Sequence, residues 1–159
     1  MQNKLFFALM YADKNIYERI KQILINKFGH VKQESFEYRF DFTNYYKKEF
    51  GKNLLKRFVV FNKSISNNEL SNIKLQSAEI EKQFIINNLR TINIDPGYIT
   101  TESLVVASSK NSRYKEPIGN NVYSHLTLKF EGNKAIETER TFPDYKKEEI
   151  KKFFLNNKN

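Results

Sequence analysis

Asp95-Pro96-Gly97-Tyr98 is the sharpest local feature of the sequence. A turn with Pro second and Gly third is of type II, because its third residue needs a positive φ. Such a turn would hold the Asp95 carboxylate at the rim of a sheet for a metal, a proton or a sugar hydroxyl. The plainer role is local, since an Asp that opens a turn bonds a backbone N–H two residues on. His125 is one of two histidines and shares the polar side of a strand with Tyr123, Thr127 and Lys129. An imidazole there can act as a general acid or base near neutral pH. With no visible partner it reads first as an ordinary half-exposed strand residue. His30 follows Gly29 at the end of a helix and suits the helix dipole.

The basic residues fall into clusters: Lys47, Lys48, Lys52, Lys56 and Arg57; Lys110, Arg113 and Lys115; and Lys146, Lys147, Lys151 and Lys152. Two chemistries use them. In the first, Lys110, Arg113 and Lys115 hold the phosphates of a nucleotide. Asp95 is then metal ligand or base, Tyr98, Tyr123 and His125 line the pocket, and Asp144 joins them. In the second, Lys47, Lys48, Lys52 and Arg57 track an RNA backbone while Tyr45, Tyr46, Phe50 and Tyr114 stack on bases. The same lysines also make a plain solvated face, which Glu148 and Glu149 dilute, and net charge speaks to association rather than identity.

Other chemistries find little support. No H-x-x-x-H and no Asp-rich calcium loop is present, so no resident metal is expected. Magnesium on Asp41, Asp95 or Asp144 is the exception, and only if the protein handles phosphate, because that ion needs one or two carboxylates and water. There is no G-x-S-x-G. None of the five glycines belongs to a G-x-x-x-x-G-K-[ST] loop.

The elements that must position these residues can be read from pattern. The chain has 159 residues, and Lys+Arg 27 against Asp+Glu 18 gives a net charge of +9. One domain is expected at this length, with enough chain to bury a real core. The absence of cysteine excludes a disulfide partner, a Cys-ligated metal and thiol catalysis. No apolar run reaches membrane-spanning length and no signal-peptide pattern opens the chain, so a cytoplasmic protein is expected.

Lys4–Tyr11 reads as a buried strand. Asn15 and Glu18 have capping-box spacing, and apolar residues at helical spacing predict a helix over 14–28, ended by Gly29. Phe36, Tyr38, Phe40 and Phe42 alternate with charges, the clearest strand pattern in the chain. Residues 43–53 read as a loop or short helix and 54–61 as a strand. Ser66 and Glu69 repeat the capping-box spacing before a helix over 67–86. A short strand at 92–94 ends at the Asp95 turn. Residues 104–109 suit strand or helix, and 111–121 read as a loop. In 122–130, Val122, Leu126, Leu128 and Phe130 share one face. Gly132-Asn133 turns into a strand at 134–139, and a helix closes the chain at 145–155.

The fold class is therefore α+β: a ferredoxin-like split βαβ core over 1–94, an antiparallel sheet with two helices on one face. A β-rich extension with a terminal helix, 95–159, packs with it as one domain.

Several segments resemble, in order, a bacterial family known as domain-of-unknown-function family 4416. They are Ile92–Ser109 followed by Lys110; Phe40-Asp41-Phe42-Thr43 with Tyr45-Tyr46; Lys56-Arg57-Phe58; Ile73-Lys74-Leu75 with Glu79; Val122-Tyr123 with Leu126-Thr127-Leu128; and Thr141–Tyr145. The resemblance spans nearly the whole chain. Where the family pattern has a His-Arg pair this chain has Tyr114-Lys115, and where it has a carboxylate this chain has His125. Relatives are sometimes labelled GTP-binding, but the resemblance implies an architecture and no mechanism. The expected function is a small binding or accessory module, with a nucleotide- or phosphate-handling enzyme and an RNA-binding domain as alternatives.

Overall fold

Every residue of the strand Asn3–Tyr11 (β1) is buried, which requires cover on both faces of its sheet. Leu5, Phe7, Leu9 and Tyr11 point to one face, and Phe6, Ala8 and Met10 to the other. The computed structural model describes residues 3–112 and 114–158. After β1 come α1 (Lys14–Phe28), β2 (Val31–Glu34), β3 (Tyr38–Arg39), α2 (Lys47–Phe50), β4 (Leu55–Ile65) and α3 (Glu69–Gln83). Then follow β5 (Ile92–Ile99), β6 (Ser103–Ser108), β7 (Glu116–Gly119), β8 (Val122–Glu131), β9 (Lys134–Glu137), a 3-10 turn (Pro143–Lys146) and α4 (Glu148–Leu155). The strands form one mixed-layer α/β architecture around a single sheet of order β2-β4-β1-β5-β6-β8-β7, with β3 also on β4 and β9 also on β8. All of these pairings are antiparallel.

Helices α1 and α3 close one face of the sheet. Ile16, Tyr17, Ile20 and Leu24 of α1 and Leu70, Ile73, Ile80 and Phe84 of α3 pack on Leu5, Phe7, Leu9, Val59, Phe61 and Ile94. The helix α1 starts at Asp13, whose side chain accepts from the Asn15 N–H at 2.8 Å, not at an Asn15–Glu18 capping box. Gly29 ends it with φ 98°, as its lack of a Cβ allows. At α3 only the reach-back half of the expected box forms: the Glu69 carboxylate accepts from the Ser66 N–H at 2.6 Å. The other face is covered at one end by α4 and the 3-10 turn. Tyr145, Ile150, Phe153 and Phe154 pack there on Phe6, Phe58, Val60 and Leu128. Two helices on one face is thus half of the arrangement, since α4 lies on the opposite side. Among the described residues no helix is long and apolar enough to cross a membrane.

Several segments depart from their sequence pattern. Asp95–Tyr98 is no turn. It lies inside β5, which pairs with β1 along its whole length, Asp95 opposite Ala8 and Gly97 opposite Phe6. A residue boundary between 94 and 95 therefore falls within one strand. The alternating segment 36–42 is strand only at Tyr38–Arg39, opposite Lys56 and Leu55. Its aromatic side chains instead pack against each other and the cleft described below. The residues 31–34 and 116–119 form edge strands that lack an apolar alternation. In β8, Leu104 faces Leu128 but Val105 faces Leu126, so Thr127 is an extra residue, a bulge. The bulge turns Val122 and Leu126 to the α1–α3 side and Leu128 and Phe130 to the α4 side, where one shared face was expected. The terminal helix is short because Pro143–Lys146 is a 3-10 turn.

Candidate functional site

The sheet forks at Gly97. Strand β5 pairs with β6 only through Gly97–Ile99, opposite Val106–Leu104. Ile92–Asp95 continue beside β1 with no strand on their other side among the described residues. Two features cause the fork. A Cβ at Gly97 would meet the Val105 carbonyl oxygen at 2.3 Å and the Phe6 ring at 2.6 Å, so only glycine lets the strands close here. The next residue back, Pro96, has no N–H to continue the β6 ladder. The open edge beyond it is satisfied by α3. The Ile94 N–H donates to the Glu81 carboxylate at 2.7 Å, and the Lys74 ammonium donates to the Ile94 carbonyl at 3.4 Å. A buried sheet edge needs such partners.

A cleft of about 550 Å³ occupies the fork. Lys74, Leu75, Ala78 and Glu81 of α3 line it from one face, and Phe142–Tyr145 from the other. The end of β6, the following Ser109-Lys110, Lys115 and the Asn120-Asn121 turn form one wall, and Phe40, Phe42, Thr43, Tyr45 and Tyr46 another. This volume lies within the range of small-molecule sites.

The charges on the β5 side are held in a continuous network. Lys74 is 2.8 Å from Asp95 Oδ1, and the Asn93 amide donates to Asp95 Oδ2 at 2.9 Å. Arg90 donates to Asn93 Oδ1 at 2.8 Å, to Glu81 at 3.5 Å, and by a two-pronged contact to Glu49 at 2.8 and 2.9 Å. Burial pushes Asp95 up, but Lys74 beside it, with Lys56 and the Asn93 bond, holds its carboxyl below the usual aspartate range. Asp95 is therefore a fixed anion and a weak base. Glu81 goes the other way: burial outweighs the Ile94 N–H, Lys74 and Arg90 and raises it.

On the cleft floor, Lys56 and the Tyr38 hydroxyl both donate to Asp144 Oδ2 at 2.7 Å. The Lys56 ammonium also sits 5.0 Å from the Phe40 and Tyr145 ring centres. Burial raises the Tyr46 hydroxyl to about 12.

The opposite wall carries cations without carboxylates. The Lys115 ammonium donates to Ser108 Oγ at 2.9 Å and to the Lys110 carbonyl at 3.2 Å. Burial and the Lys110 charge push Lys115 below the usual lysine range against a smaller pull from Asp95. Lys110 lies 3.8 Å over the Tyr45 ring. Among the described residues neither lysine has an acidic partner at ion-pair distance.

The cleft thus gathers Asp95, Lys110, Lys115 and Asp144 from the expected set. Tyr98, Tyr123 and His125 are not among its lining residues. Tyr98 points into the α1–α3 core. His125 is 5% exposed, not half-exposed; it stacks on Phe142 at 4.4 Å and its Nε2 meets the Arg140 carbonyl at 2.8 Å. Burial pushes it down, and its Nδ1 has no partner among the described atoms. Arg113 lies outside the described residues. Lys47, Lys48 and Lys52 are exposed near α2. Arg57 lies on the α1 side, over Tyr17 and 3.4 Å from Glu34, on the face of β4 opposite Lys56. Asp41 is exposed and does not line the cleft. Among the described residues, no three His, Cys, Asp or Glu side chains converge as a metal site.

Sequence reasoning gave no site role to Lys56, Lys74, Glu81, Arg90 or Asn93. A signal existed for two of them: Lys74, Ala78 and Glu81 recur at i, i+4 and i+7, a second stripe beside the apolar one. Arg90 and Asn93 carry none, since their role depends on the fork.

A family model described as Domain of unknown function (DUF4416) matches residues 1–159. No curated protein and no solved structure matches the chain.

Proposed function

We propose, for a chain that belongs along its whole length to the family described as Domain of unknown function (DUF4416), that the protein is a small-molecule binding module. Its fork cleft takes an anionic ligand that carries a planar ring, with a nucleotide as the representative class. The observation that carries this is the contrast inside one cavity. Among the described residues, Lys110 and Lys115 have no acidic partner at ion-pair distance on one wall, while Phe42, Tyr45 and Tyr46 present rings on the next. An anionic group neutralises the first and a ring stacks on the second. On the β5 side, Asp95 and Asn93 offer a fixed acceptor and amide. A cytoplasmic location belongs to the same reading, because nucleotides are found there. The strand order β2-β4-β1-β5 with α1 and α3 on one face supports the ferredoxin-like split βαβ as the ancestral core, extended by β6–β9.

A thermal-shift series tests it. Mono- to triphosphate nucleotides are added with and without magnesium, beside a short mixed-sequence RNA, at two salt concentrations. A nucleotide at about 100 times its dissociation constant stabilises by about 2.7 kcal/mol, which moves the midpoint by several degrees. The shift should vanish in Lys110→Ala/Lys115→Ala. Silence with every nucleotide overturns the reading.

RNA is the second reading, favoured by one observation. Three cation–ring pairs flank the cleft: Lys110 over Tyr45, Arg140 over Tyr114 at 3.8 Å, and Lys147 over Phe42 at 5.1 Å. A shift with RNA alone that is lost at high salt would favour it over free nucleotide.

A further inference from the structure

We propose that Lys115 is the reactive amine of the cleft and forms an imine with the carbonyl group of an anionic, ring-bearing aldehyde or ketone, preferably a phosphorylated one. The inference deepens the reading of the cleft as an anionic-ligand site and rests on it.

Lysines 56, 74, 110 and 115 line the cavity. Two are committed. Lys56 is 2.7 Å from Asp144 and Lys74 is 2.8 Å from Asp95, so each is already paired with a carboxylate. Lys110 lies at the exposed mouth over Tyr45. Lys115 differs from all three. It is half-buried, and among the described residues its nitrogen donates only to neutral oxygens, Ser108 Oγ and the Lys110 carbonyl. Among the described residues no carboxylate lies at ion-pair distance from it, and burial and the neighbouring Lys110 charge outweigh the weaker pull of Asp95. Partial desolvation beside a second cation is a recognised way to make a lysine nucleophilic near neutral pH.

The surroundings suit the chemistry. The Lys110 ammonium attracts the anionic group of the reactant, and Tyr45 offers its ring a platform. The Ser108 hydroxyl, 2.9 Å from the amine, can pass protons between nitrogen and the departing oxygen. The amine lone pair attacks the carbonyl carbon and a C–N bond forms. The C–O bond then breaks, and the oxygen leaves as water with the two amine protons. The C=N bond remains, and water reverses the step. Borohydride traps the imine by adding hydride to its carbon.

Pyridoxal 5′-phosphate carries the ring, the phosphate and the aldehyde, and serves as the probe on the full chain. One equivalent is added near neutral pH, borohydride follows, and the adduct is located by intact mass and peptide mapping. The expected result is one adduct, on Lys115, complete before any exposed lysine is labelled, because burial and the Lys110 charge favour its neutral amine. Trapping should be slower with pyridoxal, which lacks the phosphate, and in Lys110→Ala. It should rise with pH at lower values than for exposed lysines. Lys115→Arg keeps the charge, and a variant that melts with the parent yet no longer traps supports the imine. Label spread over surface lysines, or equal trapping in Lys115→Arg, overturns it. An excess of nucleotide should slow trapping. If Lys115 is labelled and nucleotide gives no protection, the imine stands and nucleotide occupancy fails.

Discussion

The two walls of the cleft hold their charges in opposite ways. On the β5–α3 wall every charge has a partner: Asp95 with Lys74, and Arg90 with Glu49 and Glu81. On the wall after β6, among the described residues, Lys110 and Lys115 meet a ring and neutral oxygens and no carboxylate at ion-pair distance. The difference follows from the backbone. The β5 wall is an interrupted sheet, and Glu81 and Lys74 are drawn in to satisfy the Ile94 edge. The other wall is a surface loop whose peptide groups water can satisfy. Paired charges brace the fork, and on the proposed reading the loop lysines are left to meet a ligand. Damage to the first should cost stability, and damage to the second should cost ligand.

The largest effect is expected on the floor, where the braced side meets α4. Asp144→Ala would leave the Lys56 ammonium buried among rings and the Tyr38 hydroxyl without its acceptor. Removing one partner of a buried ion pair costs about 3–5 kcal/mol. The denaturant midpoint should fall with little change in slope. A loss below about 1 kcal/mol would mean that water already reaches Lys56, and that the floor is not braced.

Gly97→Ala comes next. The added methyl must displace the Val105 carbonyl or the Phe6 ring, which overpacking studies place at about 1–3 kcal/mol. The damage should appear as faster amide exchange in β6 with β1 left protected. Uniform loss of protection would show that the fork and the core unfold as one.

Much of the scaffold was legible in the sequence, and the lining of the cleft only in part, for physical reasons. The helix stripe of Ile16, Ile20 and Leu24, and that of Leu70, Ile73, Ile80 and Phe84, are local periodicities enforced by burial. They survive into the fold. Asp95-Pro96-Gly97 has turn chemistry, but β1 pairs with it on one side throughout, and this long-range ladder prevails over local preference. The proline and glycine act at the fork instead, and Asp95 reaches the cleft by that route. His125 was placed by alternation, which the Thr127 bulge does not disturb upstream. What alternation cannot show is that Phe142 returns to cover it. Lys110 and Lys115 were legible as a pair because one short loop carries both. Arg90 and Glu49 were not, since 41 residues separate them.

The braced wall also makes a prediction about acid. Asp95 titrates below its ordinary value in the folded chain, so its contribution is present above about 3.8 and is lost as pH falls through the lower folded value. Glu81 is raised, so its carboxylate is a burden that grows as pH rises from about 4.5 through the higher folded value. The two slopes have opposite signs. Glu81→Gln keeps an acceptor for the Ile94 N–H and removes the charge. Its stability should lie within about 1 kcal/mol of the parent at low pH, with the decline above 4.5 flattened. Chemical denaturation at several pH values reads both. An unchanged profile would mean that Glu81 is ionised at no cost in the fork.

The smallest effect on stability is expected on the unpaired wall. Lys110→Ala removes a surface ring contact, and Lys115→Ala removes a partly desolvated ammonium that its neighbour repels. Neither leaves a buried charge behind. The double variant should hold its denaturant midpoint within about 0.5 kcal/mol of the parent. Its association with anions should nevertheless weaken and lose much of its salt dependence, because these two charges supply the attraction that salt screens. That combination, intact fold with lost anion binding, distinguishes a wall kept for a ligand from a wall that holds the fork open. If instead the double variant loses stability as Asp144→Ala does, the lysines brace the loop against Ser108 and the contrast between the walls disappears.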